Sequence, residues 1–391
     1  MDLEAELRQR AWPTPVRGMD ACRYDRSRYV REGRVVNRVL GLHEDLSEPI
    51  PAGECAITSL CRARNGKVYG ATSGRRSHLF VYDPEPGADG VIDIGVIPGA
   101  KAVRRSLVAL ADGRVLGGVS ETDGGNGGGA LFVYETRRDH MVEYGSGHGE
   151  IEMRGVPVES EGIAALVASP VGTVFGLSRT TGTLFAYDAE ADSASVVGRV
   201  DKGGTFSHVL VCDDAGSVFG AGACGRLFRY RPGAQEVEWL DVAIPTVAGR
   251  AFYNRLDSAA FDPVSGLIYG AGSADGVLFS FDPRTEDVRS LGKATAEQRC
   301  RALAVGLDGT VYGLNGDVDG MAHLFRYDPE RHELVDLGMP MAAVQRFWHG
   351  YEFDAACTGR SGEIYLGESD RVAHLFIYFP PVRKKGDGAL F

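Results

Sequence analysis

Gly66-Lys-Val-Tyr-Gly70, followed closely by His78-Leu-Phe-Val-Tyr-Asp-Pro84, decides the fold, because this pair of segments recurs along the whole chain. The first returns as GRVLGG from Gly113, GTVFG from Gly172, GSVFG from Gly216, GLIYG from Gly266, GTVYG from Gly309 and GEIYLG from Gly362. The second returns as ALFVYET from Ala130, TLFAYDA from Thr183, RLFRYRP from Arg226, VLFSFDP from Val277, HLFRYDP from His323 and HLFIYFP from His374. An apolar run such as SLVALADG precedes each glycine, and in most copies a shorter strand such as GVIDIG, VEWLDV, VRSLG or LVDLG follows. Each unit therefore carries four strands.

A lone four-stranded sheet with two apolar faces cannot bury both, so units of this length stack in a ring and leave only short, protected edges. The fold expected is all-β: a seven-bladed β-propeller with four-stranded antiparallel blades. The last unit lacks a fourth strand, and GRVVNRVLGL, Gly33 to Leu42, has the pattern of an outermost strand. The N-terminal segment is therefore expected to complete blade seven and remove an open edge. Residues 1–30, rich in arginine, read as an extension, and residues 31–391 as one propeller domain.

The 53 glycines suit a turn-rich fold. Seven scattered cysteines, with no C-x-x-C, argue against a disulfide framework or zinc knuckle and read as buried apolar residues. A net charge of −11 disfavours non-specific binding to nucleic acid or an anionic membrane. The charged N-terminal stretch has no signal-peptide pattern, which sets the expectation of a cytoplasmic protein.

Function must be read from residues that the fold does not need. The innermost strands, aligned on the turn glycine with one extra residue allowed in the fifth and seventh turns, place Thr58, Arg105, Ala164, His208, Asp257, Arg301 and Phe353 at one position. Two residues earlier stand Ala56, Val103, Gly162, Phe206, Arg255, Arg299 and Tyr351. Arg104, Tyr253, Asn254, Trp348 and His349 lie close by. Arginines hold carboxylates through paired hydrogen bonds, and His and Tyr carry protons. Candidate proton-transfer residues are thus His208, Tyr253, Tyr351 and His349. Candidate substrate-binding residues are Arg105, Arg255, Arg299, Arg301, Asn254 and Trp348. The alternative is that the arginines pair with Glu54, Glu161, Asp257, Glu297 and Glu352 at a solvated channel mouth.

Three other features read as structural. His78, His323 and His374 open the third strand of neighbouring units, too far outboard to share a metal. Asn315-Gly-Asp317-Val-Asp319-Gly320 begins like a calcium loop, but Arg326 stands where the bidentate carboxylate belongs. Asp123-Gly-Gly-Asn126-Gly-Gly-Gly129 lacks the Lys-Ser/Thr of a phosphate loop. No metal or other cofactor is expected.

The tandem YG and HLF-x-Y-D-P strands, from Glu54 to Pro380, resemble the seven-bladed propeller polysaccharide lyases, among them ulvan lyases and rhamnosyl-glucuronate lyases. The resemblance implies a carbohydrate-active enzyme performing β-elimination on a uronate-containing oligosaccharide or similar small anionic substrate. It implies Arg105, Arg255 and Arg301 on the carboxylate, with His208, Tyr253 and Tyr351 in proton transfer. The H-x-H motif of the metal-dependent oligogalacturonate lyases is absent. Two other classes stay open: a non-catalytic propeller that binds a protein or ligand, and a cyclase or isomerase of secondary metabolism.

Overall fold

The computed structural model describes residues 30–41, 49–85, 90–124, 128–137, 149–200, 205–316, 321–343, 347–370, 372–381, 383–384 and 387–390. Seven antiparallel sheets follow one another around an axis. Their innermost strands are Ala56–Arg62, Leu107–Ala109, Ile163–Ala168, Val211–Cys212, Leu256–Asp262, Cys300–Val305 and Phe353–Thr358. Blade seven is completed by Arg34–Gly41, which pairs antiparallel with Ala373–Phe379. The first and last parts of the chain thus share one sheet, as the missing fourth strand required.

The repeated aromatics close the ring. The Tyr or Phe of each YG strand packs against the aromatic of the next blade's third strand: Tyr69 with Tyr134, Phe175 with Tyr230, Phe219 with Phe281, Tyr269 with Tyr327, Tyr312 with Tyr378, and Tyr365 back onto Tyr82. Their ring centroids lie between 5.4 and 6.0 Å apart. Each such pair adds about 0.5–1.5 kcal/mol beyond the area it buries. Only the second unit, GRVLGG, lacks an aromatic at this position, and there Leu116 shares an apolar cluster with Tyr187. The glycine of the YG strand has a steric cause. Gly70 faces Phe80 across the ladder, and a Cβ on Gly70 would stand 2.1 Å from the phenyl Cζ.

Val30, immediately before the clasp, is buried in the cluster between blades six and seven, and the Arg31 amide donates to the Leu337 carbonyl. Glu32 holds the buried Arg326 together with Glu333. Residues 1–29, including most of the expected extension, lie outside the described residues. So do Asp317 to Gly320 of the calcium-like loop and Gly125 to Gly127 of the glycine-rich one. Cys55, Cys61, Cys212 and Cys300 are buried as expected and Cys357 is half-buried, but Cys224 is exposed, because it sits on a turn with φ of 57°.

The three third-strand histidines are held by carboxylates of their own blades. His78 lies 3.0 Å from Asp93 and 2.9 Å from Glu54, His323 3.1 Å from Asp336, and His374 2.7 Å from Glu368. Burial alone would lower the His78 pKa, but the hydrogen bonds and charges of Asp93 and Glu54 outweigh it and raise it. Among the described residues no group of His, Cys, Asp and Glu is arranged to hold a metal ion.

Candidate functional site

The inner strands are not regular where they meet the channel mouth. The ladder to the second strand slips by one residue at Thr58, Ala164, Asp257, Arg301 and Asp354. A bulge leaves one residue unpaired and re-aims its side chain. Arg105 and His208 occupy the corresponding places in blades two and four, each eight residues before the turn glycine. The position singled out by alignment is therefore the bulge. One correction applies: the extra residue belongs to the fifth turn alone, so the seventh member is Asp354, and Phe353 is a buried core residue.

Two spaces adjoin these bulges. The axial channel, about 200 Å³, is lined by residues of all seven blades and carries Thr58, Ser59, Arg105, Ser258, Arg301 and Asp354 as its polar members. A larger cleft of about 640 Å³ opens at the end where the chain enters blades four, five and six. Its walls include Phe206, His208, Arg250, Tyr253, Arg255, Asp257, Gln298 and Arg299. Arg105 lines both spaces. Its backbone lies in the left-handed region at φ 50°, a strain on the order of 1 kcal/mol that is held by neighbours on either side. The Arg105 amide donates to Thr58 of blade one, and its carbonyl accepts from Leu166 of blade three.

Charge is distributed unevenly around this mouth. Arg299 forms a two-pronged pair with the buried Asp257 at 2.8 and 2.5 Å, and the Cys300 amide donates to the same carboxylate. Burial would raise the Asp257 pKa, but Arg299, with help from the Arg105 charge, holds it below the ordinary carboxylate value. Arg301 stands 3.6 Å from both Glu352 and Asp354. Arg104 reaches Glu121 and Asp354, and Arg179 also pairs with Glu121. Among the described residues neither Arg105 nor Arg255 has a carboxylate within 4 Å. In the cleft lining four arginines, at 105, 250, 255 and 299, face the single carboxylate of Asp257. A cavity with this excess attracts anions even in a chain of net charge −11.

His208 stands among these cations. Burial, then the charges of Arg179, Arg105 and Arg255, lower its pKa to about 4, against a smaller opposing effect of the Arg179 backbone that favours the protonated ring. At neutral pH the ring is therefore uncharged. One nitrogen of a neutral imidazole is a lone-pair acceptor. Phe206 packs against the imidazole with centroids 5.3 Å apart.

The structure thus brings Arg105, His208, Tyr253, Arg255 and Arg299 into one cleft and sets Arg301 in the adjoining channel. The alternative of internally paired arginines holds for Arg299 and Arg301. Glu54 and Glu161 serve elsewhere: Glu54 binds Arg76 and His78, and Glu161 accepts from the Thr181 amide.

Asn254 lines neither space. It is fully buried, donates to the carbonyls of Ile244 and Pro245, and accepts from the Ala274 amide. Tyr351 lines neither space. The backbones of Trp348 and His349 pair with Ala342 and Met341 in a small ribbon, and their side chains lie outside the described residues. Sequence reading missed Arg179, Arg250, Ser273 and Gln298. They sit in the loops between second and third strands or in those entering the first, and scanning these loops for cations would have found the two arginines.

No protein-family model matches the sequence, and no curated protein matches it. Solved structures do share the fold. A streptogramin B lyase superposes with a TM-score of 0.63 at 12% identity, covering 90% of this chain and all of that one. A catalytically inactive His-to-Ala variant of virginiamycin B lyase from Staphylococcus aureus, with quinupristin, gives 0.64 at 9% identity over 88% of this chain and 99% of that one. A fungal alcohol oxidase in complex with copper gives 0.60 at 13% identity over 92% and 78%. At these identities the likeness shows the fold alone, and the fold hosts more than one chemistry.

Proposed function

We propose that this propeller is a lyase-type enzyme that eliminates a group β to a carboxylate, with uronate-containing oligosaccharides as the substrate class. The observation that carries this reading is that one cleft holds an imidazole, His208, together with two arginines, Arg105 and Arg255, that have no carboxylate partner among the described residues. Elimination needs that combination. Arginines that neutralise a substrate carboxylate make the hydrogen on the adjacent carbon more acidic, and a lone-pair nitrogen removes it.

The electron pair left on that carbon forms a C=C bond as the β C–O bond breaks. The departing oxygen takes a proton from Tyr253 at the cleft edge or from water. A docked carboxylate also cancels part of the positive field that depresses the imidazole pKa, so His208 becomes a stronger base once the substrate is in place. Two fold neighbours are lyases, and one of them is inactive with a histidine replaced, which supports this reaction class without supplying a substrate.

The test is incubation with a panel of uronate-containing oligosaccharides, following the ultraviolet absorbance of a C=C bond conjugated to the carboxylate. Product from the native chain, lost in His208→Ala, supports the reading. Silence across the panel counts against it.

A further inference from the structure

The loop between blades four and five presents hydrophobic surface to water at the lip of the arginine cleft. Phe252 is 75% exposed and Tyr253 70%, in a short turn at Ala251–Tyr253, with Val247 also exposed. Their rings meet edge to face, with centroids 5.2 Å apart at 89°. This loop is firmly anchored beneath. Buried Asn254 ties both of its ends to Ala274, while buried Asp275 accepts from the Thr246 hydroxyl at 2.9 Å and the Val247 amide at 2.8 Å. Arg250 adds a hydrogen bond to the Ala274 carbonyl. Two buried polar side chains thus hold a loop whose apex exposes two interlocked aromatics.

We propose that Phe252, braced by Tyr253, is a stacking subsite for a flat or pyranose ring of the same ligand whose carboxylate enters the cleft. The ligand class is then an amphiphilic anion: a carboxylate joined to a second ring. This rests on the reading that a carboxylate binds between Arg105 and Arg255, and it adds the feature that distinguishes a two-ring substrate from a bare uronate. Continuity carries it. Tyr253 belongs both to the cleft wall and to the aromatic pair, so a ring linked to a bound carboxylate emerges onto this surface. Aromatic faces favour flat partners, and rigid aromatics lose little freedom on binding.

The test is binding, without turnover, of methyl β-glucuronide and phenyl β-glucuronide to the full chain by calorimetry. These probes share the carboxylate and differ in the second ring. The expected result is phenyl glucuronide binding about five- to tenfold more tightly, the gain typical of an aromatic contact. Phe252→Ala should collapse that ratio towards one and leave methyl glucuronide affinity unchanged, and Phe252→Tyr should preserve it. Phe252 is exposed, so the replacement leaves the core intact. Equal affinity of the two probes for the native chain, or a ratio that survives Phe252→Ala, overturns the subsite while the carboxylate reading stands. Failure of both probes to bind overturns the carboxylate reading and the subsite with it.

Discussion

Replacing His208 with Gln should remove a pH dependence of stability that the native fold carries. In the folded chain the imidazole pKa falls from an ordinary 6.5 to about 4. Above pH 6.5 the ring is neutral both folded and unfolded, so it contributes no pH dependence. Below 6.5 the unfolded chain takes up a proton that the folded chain refuses, and stability falls until pH 4, where both forms are protonated. Each pH unit of that gap corresponds to about 1.4 kcal/mol, so the native protein loses on the order of 3 kcal/mol across the window. Other groups titrate there too, so the readout is the difference between native and His208→Gln in urea midpoints from pH 7.5 to 4. The difference should shift steadily in favour of the variant as the pH drops. Following the imidazole C–H resonance gives a second measure, and Arg105→Gln should move the midpoint upward, to between about 4 and 6.5. An imidazole titrating at or above 6.5 in the native fold would refute both the burial and the cationic field assigned to this site.

Other consequences concern the frame. Gly70→Ala should destabilise the fold by about 1–3 kcal/mol or more in chemical denaturation, because its Cβ would meet Phe80 at 2.1 Å. An unchanged midpoint would mean that blade one relaxes freely. Deleting residues 1–41 removes the clasp strand and exposes the edge of Ala373–Phe379, so the melting temperature should fall and light scattering report association. His78 should behave opposite to His208. Its folded pKa is raised by Asp93 and Glu54, so its stabilisation is full below 6.5 and lost as pH rises through the folded value. The cost of His78→Gln should therefore be greater at pH 6 than at pH 9.

The architecture was legible because it is written seven times, and each repeated residue has a repeated physical cause: the YG glycine makes room for a phenyl ring, and the aromatics pair between blades. Even the one departure, Leu116, reports the one interface without an aromatic pair. The missing fourth strand forecast the clasp for the same reason. The site was legible only in part. Alignment found the bulge column, since a polar residue among apolar neighbours stands out, but it misplaced the seventh member by one residue because turn lengths do not reveal a bulge. Nor does residue type reveal pairing. Arg299 and Arg255 look alike in sequence, yet one grips Asp257 and the other does not, because the partner comes from the preceding blade. Asn254 resembles a ligand donor and is a loop anchor, its amide directed inward to backbone carbonyls. Arg179 lies on a loop with no repeat pattern to align, although its charge is among the causes of the low His208 pKa.

On the function proposed above, a substrate carboxylate docks between Arg105 and Arg255 beside His208. A crystal structure of the chain soaked with a uronate tests this most directly. The prediction is a carboxylate within hydrogen-bonding distance, about 2.7–2.9 Å, of one or both guanidinium groups, with the ring carbon next to it facing the imidazole. A uronate bound at the opposite mouth of the channel, or a cleft left empty at saturating ligand while Arg105 and Arg255 acquire carboxylate partners from the protein, would contradict it.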